Sequence, residues 1–236
     1  MVAAAESASR HDLNSLNYPI LPKSPSASKR EFSELPNSVR ARNSHIFDRV
    51  PNNWYREPSW PAERLFQQES FAGIIWDGCC GGGTIPEAAK AAGLATFASD
   101  LVDRGYGAQR DFLTEPAPIA PPFTVVTNPP HQKQSERQFV ERGLELGADK
   151  VVILFQTSKM HAAWPWLIPC RLARVYLLTP RPSIPPGEMI ERGEKPGGGR
   201  YDYSWLIFDR AHKGPPTLGW LHRDISSIDI KGEKQK

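Results

Sequence analysis

Gly73-Ile-Ile-Trp-Asp77-Gly-Cys-Cys-Gly81-Gly-Gly83-Thr84-Ile-Pro-Glu87 is the stretch on which the fold turns. Gly73 to Trp76 is a short apolar run leading into Asp77, the pattern of a buried strand. Three consecutive glycines then allow a tight turn and leave no side chain between the backbone and a ligand. Thr84-Ile-Pro-Glu87 reads as a capping box with Pro86 in the first helical turn, where its missing N–H costs little. The helix is expected to run to Ala92 and to stop at Gly93.

The same alternation continues outward. Upstream, Pro61 to Glu69 reads as a short helix with proline at its start. Downstream, Ala95 to Ser99 is a second strand, ending in Asp100. Phe123-Thr-Val-Val-Thr127 is a buried strand that leads into Asn128-Pro-Pro-His131. Ser135-Glu-Arg-Gln138 looks like another capping box, opening a helix to about Leu146. Lys150 to Phe155 is a further buried strand, and Leu172 to Thr179 and Ser204 to Arg210 are two late ones, separated by a Pro/Gly-rich loop over 180–203. Short apolar strands alternating with helices predict a mainly parallel sheet covered on both faces.

The 236 residues suffice for one such domain. Residues 1–45 are rich in Ser, Ala, Pro, Asn and Arg with no sustained period, and are expected to form a disordered or weakly ordered tail. The domain is expected over 46–225, followed by a polar tail over 226–236. A net charge of only +3 does not announce a nucleic-acid binder, which leaves room for a local basic patch alone. Cys79, Cys80 and Cys170 have neither metal-ligand nor disulfide-framework spacing, so reduced thiols and no metal are expected. No run approaches the roughly 18 apolar residues of a membrane span, and the first residues lack a signal peptide's basic and apolar regions. The expectation is a cytoplasmic protein with no membrane partner.

A glycine-rich turn between strand and helix serves several ligand classes. A P-loop needs lysine after Gly83, where Thr84 stands, and a dinucleotide fingerprint from Gly81 needs glycine or alanine where Pro86 stands. The remaining pattern, Asp77-x-x-x-Gly81-x-Gly83, resembles the first motif of class I methyltransferases. That resemblance implies S-adenosyl-L-methionine as cofactor, its methionine part held at the turn by Asp77, Cys79, Gly81 and Gly83. Asp100 ends the next strand, where a carboxylate can accept both hydroxyls of a ribose. The resemblance also gives Asp111 and Phe112 an adenine contact. Trp54-Tyr55-Arg-Glu-Pro58 is similar to the Y-x-T-P element of adenine methyltransferases, with Glu57 in place of threonine. It adds Tyr55 and Pro58 to the expected cofactor site.

Thr127-Asn128-Pro129-Pro130-His131 is the most specific motif in the chain. It follows a buried strand and so belongs at the carboxyl edge of the sheet, where open α/β folds bind ligands. Two prolines stiffen the turn and remove two N–H donors. The Asn128 side-chain oxygen and the Pro129 carbonyl can then act as paired acceptors for an amino group, freeing its lone pair for attack on a sulfonium methyl. The motif resembles the D/N-P-P-aromatic signature of amino-methyltransferases, with His131 in the aromatic position. The resemblance implies catalytic roles for Asn128, Pro129, Pro130 and His131, the last by stacking on a flat base or amide.

From Trp54 to about Arg223 the chain looks like the small DNA N6-adenine methyltransferase-like proteins of bacteria and phages. The fold so implied is the Rossmann-like class I methyltransferase fold, a mostly parallel twisted sheet with helices on both faces and a late antiparallel strand. The function so implied is methyl transfer to an exocyclic amino group, adenine N6 in DNA first, which makes DNA the expected partner. Two alternatives stay open: methylation of a glutamine side-chain amide in a protein, and a non-catalytic nucleotide- or nucleic-acid-binding protein on the same fold. For target recognition, the 180–203 loop with Arg181, Arg192, Lys195 and Arg200 is the local candidate.

Overall fold

The computed structural model describes residues 54–131 and 134–224. Both expected tails, 1–45 and 226–236, and the boundaries drawn for them lie outside the described residues. Along the chain come α1 (Trp60–Gln68), β1 (Ile74–Asp77), α2 (Thr84–Ala91), β2 (Thr96–Asp100), β3 (Ala108–Gln109) and β4 (Phe123–Thr127). There follow α3 (Ser135–Glu145), β5 (Lys150–Gln156), a 3₁₀ turn (Thr157–Lys159), α4 (Met160–Leu167), β6 (Leu172–Thr179), α5 (Gly187–Glu191), β7 (Tyr203–Asp209) and β8 (Thr217–His222).

The strands form one sheet in the order β3-β2-β1-β4-β5-β7-β6-β8. β7 runs antiparallel to both its neighbours, and the other pairings are parallel. This is the expected α/β architecture with its late antiparallel strand. Chain order reverses between β1 and β4: β2 lies on one side of β1 and β4 on the other. Such a switch point leaves a crevice at the carboxyl ends of the two strands. Asp77 and Asn128 stand there, one ending β1 and the other following β4.

Side-chain alternation along the central strands builds a core on each face. Val151, Ile153 and Phe155 of β5 join Trp76, Phe123, Phe139 and Phe208 on one side. Val152 and Leu154 join Ile75, Val126, Trp205 and the α1 and α2 residues Leu65 and Ile85 on the other. β5 is buried through Val151–Phe155 because both faces are covered, which explains its unbroken apolar sequence.

Three local expectations need correction. Neither capping box forms. Gly83 (φ +83°) and Gln134 (φ +71°) occupy the cap positions, without a side-chain cap. Each helix therefore begins one residue before the motif requires, and Glu87 and Gln138 become fourth residues that no longer reach back to the cap. Glu87 instead meets Lys90 and the Tyr106 hydroxyl, at 2.8 and 2.6 Å. The 180–203 segment is not loop throughout, since it contains α5 and a β-bridge between Tyr55 and Pro186. Two late strands become three, with β8 added at the sheet edge.

Candidate active site

The crevice at the β1/β4 switch point is a pocket floored by the glycine turn. Asp77 closes its base. Its Oδ1 accepts from the Cys79 backbone N–H (3.1 Å) and from the Thr127 hydroxyl (2.7 Å), which ties the ends of β1 and β4 together. Its Oδ2 is buried and has no partner among the described residues. Burial, with smaller contributions from Glu57 and Asp100, pushes the Asp77 carboxyl up to about 8. A carboxyl left half-paired under a turn of small residues keeps its proton near neutral pH, and a cation above the turn would favour its ionised form.

Asp100 folds back onto the same turn. Its Oδ2 accepts from the Gly81 N–H (2.9 Å) and its Oδ1 from the Val102 N–H (3.0 Å). Each oxygen keeps lone-pair capacity toward the pocket that Asp100 lines. Gly81 takes φ +49°, and a Cβ on it would come within 3.2 Å of the Trp54 indole nitrogen. That nitrogen is buried and has no partner among the described residues. The Trp54 ring forms the roof, packed on the backbone of Gly187 and faced by the Arg104 guanidinium 4.4 Å from its centroid. Backbone hydrogen bonds from Gly187 to Trp54 and from Arg56 to Pro185 hold this roof to the 180–203 segment, at 3.0 and 2.9 Å.

The two thiols of the turn are held in their protonated form. Burial drives Cys79 well above its usual range and Cys80 to about 12. Cys79 lines the pocket as a small apolar surface, while the Cys80 thiol lies 3.3 Å from the Tyr106 carbonyl.

Asp111 and Phe112 form the next wall. Asp111 Oδ1 accepts from the Leu113 N–H at 2.9 Å. Phe112 stacks face to face on Phe139, with centroids 4.9 Å apart and planes at 2°, and is packed against Trp76, so that it is buried and meets the pocket only at its margin.

Asn128 and Pro130 complete the pocket. Asn128 Nδ2 donates to Glu57 Oε2 at 2.8 Å. Its Oδ1 is buried and has no partner among the described residues. Glu57 is itself only 8% exposed. Burial raises its carboxyl above the ordinary value, while the Asn128 hydrogen bond and nearby Arg56 pull the other way.

The structure thus brings Tyr55, Cys79, Gly81, Asp100, Asp111, Phe112, Asn128 and Pro130 to one cavity, with Asp77 sealed beneath it. It does not bring Pro58, Gly83, Pro129 and His131 to that lining. Pro58 and Gly83 border a separate shallow groove between α1 and α2. His131 tilts against Tyr203, with centroids 5.5 Å apart, and its Nδ1 lies 3.5 Å from Glu136. Burial pushes the Glu136 carboxyl up, but His131 and Lys159 outweigh it and hold the carboxyl below its usual range.

Sequence reading missed Trp54, Glu57 and Arg104 as site residues. The Trp54–Pro58 element was noted, yet which of its members face inward depends on its pairing with 185–187. Among the described residues there is no His/Cys/Asp/Glu group that could hold a metal, and no helix long and apolar enough to cross a membrane.

No family model and no curated protein sequence matches the chain. Solved structures do. A Pyrococcus horikoshii protein, described provisionally as an RNA methyltransferase, superposes with a TM-score of 0.51 at 14% identity, over 70% of this chain and 92% of that one. An rRNA methylase from Streptococcus thermophilus is similar with a TM-score of 0.42 at 11% identity, over 64% of this chain and 95% of its own. At these identities the likeness is one of fold, and the chain has the Rossmann-like fold of class I methyltransferases.

Proposed function

We propose that this protein is an S-adenosylmethionine-dependent methyltransferase acting on an exocyclic amino group, with adenine N6 in DNA as the acceptor. The observation that carries this reading is the Asn128 carbonyl oxygen, buried and without a partner among the described residues, on a residue that lines the glycine-turn pocket. A buried acceptor without a partner costs free energy unless a ligand donor satisfies it. An –NH₂ group is such a donor.

The pocket suits the cofactor on its own terms. Asp77 beneath the turn would favour a cationic group, Asp100 has capacity for hydroxyls, and the wall around Phe112 is apolar. When bound, the cofactor supplies a methyl group on a positively charged sulfur. Asn128 Oδ1 would accept from the amino group and aim its nitrogen lone pair at that methyl, with Pro129 and Pro130 stiffening the turn that presents Asn128. Transfer would form the N–C bond at the expense of the C–S bond, with the surplus amino proton released to solvent. Positioning and fixed dipoles carry most of the rate in such a step.

Adenine inside a duplex cannot reach a pocket of this kind, so the base must flip out or lie in a single strand. Of the 180–203 basic residues, Arg181 pairs with Asp202 (2.6 Å) and Arg192 with Glu194 (2.7 Å). Lys195 and Arg200 are the members of that group better suited to phosphate contact.

The deciding experiment is incubation with labelled S-adenosylmethionine and separate DNA, RNA and protein pools, followed by product analysis. N6-methyladenine in DNA is the expected product, with single-stranded or mismatched sites at least as reactive as paired ones. Label found only in glutamine or only in RNA would overturn the acceptor. No binding of the cofactor or its demethylated product would overturn the whole reading. A related expectation concerns Asp100→Ala, which should weaken cofactor binding by about 1–3 kcal/mol in calorimetry. Unaltered affinity would remove Asp100 from the site.

A further inference from the structure

We propose that Glu57 is a positioning residue: its carboxylate holds the Asn128 amide by its nitrogen and leaves the carbonyl oxygen as the group free to accept from a ligand. Its catalytic consequence rests on the function proposed above; the orientation itself does not.

A side-chain amide is nearly symmetric in shape. Packing alone scarcely distinguishes its nitrogen from its oxygen, so a chemically selective partner must choose between them. A carboxylate is selective because it only accepts. Glu57 Oε2 lies 2.8 Å from Asn128 Nδ2, a charge-assisted distance. With Glu57 only 8% exposed, water competes poorly for that contact. The arrangement joins residues 71 positions apart, across the strap before α1 and the end of β4. The reverse orientation would set Asn128 Oδ1 against a carboxylate oxygen and direct N–H donors into the cleft. An incoming amino group would then meet donors with its own hydrogens.

Glu57 also stands where a threonine would complete the Y-x-T-P likeness, so the same substitution that weakens that likeness supplies the Asn128 partner. Threonine is too short to repeat this contact from the same backbone position, and its hydroxyl can donate as well as accept.

The test compares Glu57→Ala and Glu57→Gln with the full-length wild-type chain. Side-chain amide NMR follows Asn128, its signal assigned by its disappearance in Asn128→Ala. In Glu57→Ala the Asn128 Nδ2 protons should lose their hydrogen-bonded shift and exchange faster. In Glu57→Gln, whose Oε1 can still accept, the signal should stay near its wild-type position. Turnover should fall about tenfold to a hundredfold in Glu57→Ala, by analogy with residues that orient reacting groups from one shell out. Glutamine should restore much of it, with acceptor KM close to wild type in both variants. An Asn128 signal indifferent to Glu57→Ala would overturn the proposal. So would a loss confined to KM, or a glutamine variant as impaired in amide shift as alanine. If the wild type methylates no acceptor, the proposed function falls, and the amide spectra still decide the orientation.

Discussion

Replacing Asn128 with alanine should lower the turnover rate by about a hundredfold or more, by analogy with the loss of one oriented oxyanion-hole donor. Cofactor affinity should stay close to wild type. The asymmetry follows from where Asn128 acts. Its Oδ1 has no partner among the described residues, so none of the hydrogen bonds described is lost with it. Its contacts to the acceptor strengthen as the nitrogen changes geometry, and loss of a contact made chiefly in the transition state appears in kcat. The Asp77, Asp100 and Trp54 surfaces that face the cofactor region remain. Alanine also leaves Glu57 buried without its Asn128 donor, which should cost some stability and is read separately by thermal unfolding. Single-turnover rates with saturating DNA and cofactor would measure the chemical effect. A variant with wild-type turnover and weakened cofactor binding would place Asn128 in the cofactor pocket and remove it from the reaction.

The sheet was legible where burial dictates sequence. β4, β5, β6 and β7 are apolar runs because both of their faces are largely covered, and the structure moves their ends by at most one residue. Elements held by other means were not legible. β3 is two exposed residues defined only by pairing with Ser99 and Asp100. β8 lies at the sheet edge with Leu218 and Trp220 exposed, so it lacks an inward apolar pattern. α4 contains Pro165, which sequence reading takes as a helix breaker. The capping motifs misled by one residue because residues with positive φ took the cap positions.

The site divides in the same way. Asp77, Gly81, Asp100 and Asn128 stand at strand ends or in a glycine turn, positions that local sequence marks. Glu57 and Trp54 become site residues only when the strap before α1 is laid across the crevice against 185–187. No local periodicity encodes that placement. His131 shows the converse. Its place after the two prolines suggested a stacking surface for substrate, yet its ring is engaged by Tyr203 and Glu136.

Asp77→Asn should make the protein more stable at neutral to mildly alkaline pH and poorer at holding the cofactor. Burial raises the folded-state value to about 8 from 3.8, so the folded chain holds this proton more tightly than the unfolded chain does. The protonated carboxyl therefore favours folding below about pH 4. That advantage is lost progressively as pH rises to about 8, and is constant above it. Asparagine carries no charge at any of these pH values and keeps an acceptor for the Cys79 N–H and the Thr127 hydroxyl. Against this, its NH₂ group lies where Oδ2 has no partner. The balance should favour the variant by roughly 2–4 kcal/mol at pH 8 and should vanish or reverse slightly near pH 4. Cofactor binding should move the other way. A cation above the turn favours ionised Asp77, so wild-type binding should release a proton below pH 8 and tighten as pH rises. The Asp77-linked part of that dependence should be absent from the variant, whose affinity should fall about tenfold to a hundredfold with the lost charge-assisted contact. Thermal unfolding at pH 4, 6 and 8, with calorimetry in buffers of different ionisation enthalpy, reads both effects. A variant less stable than wild type at pH 8 would show that the Asp77 charge is not costly in the folded chain, and unchanged proton release would show that the ligand does not use it.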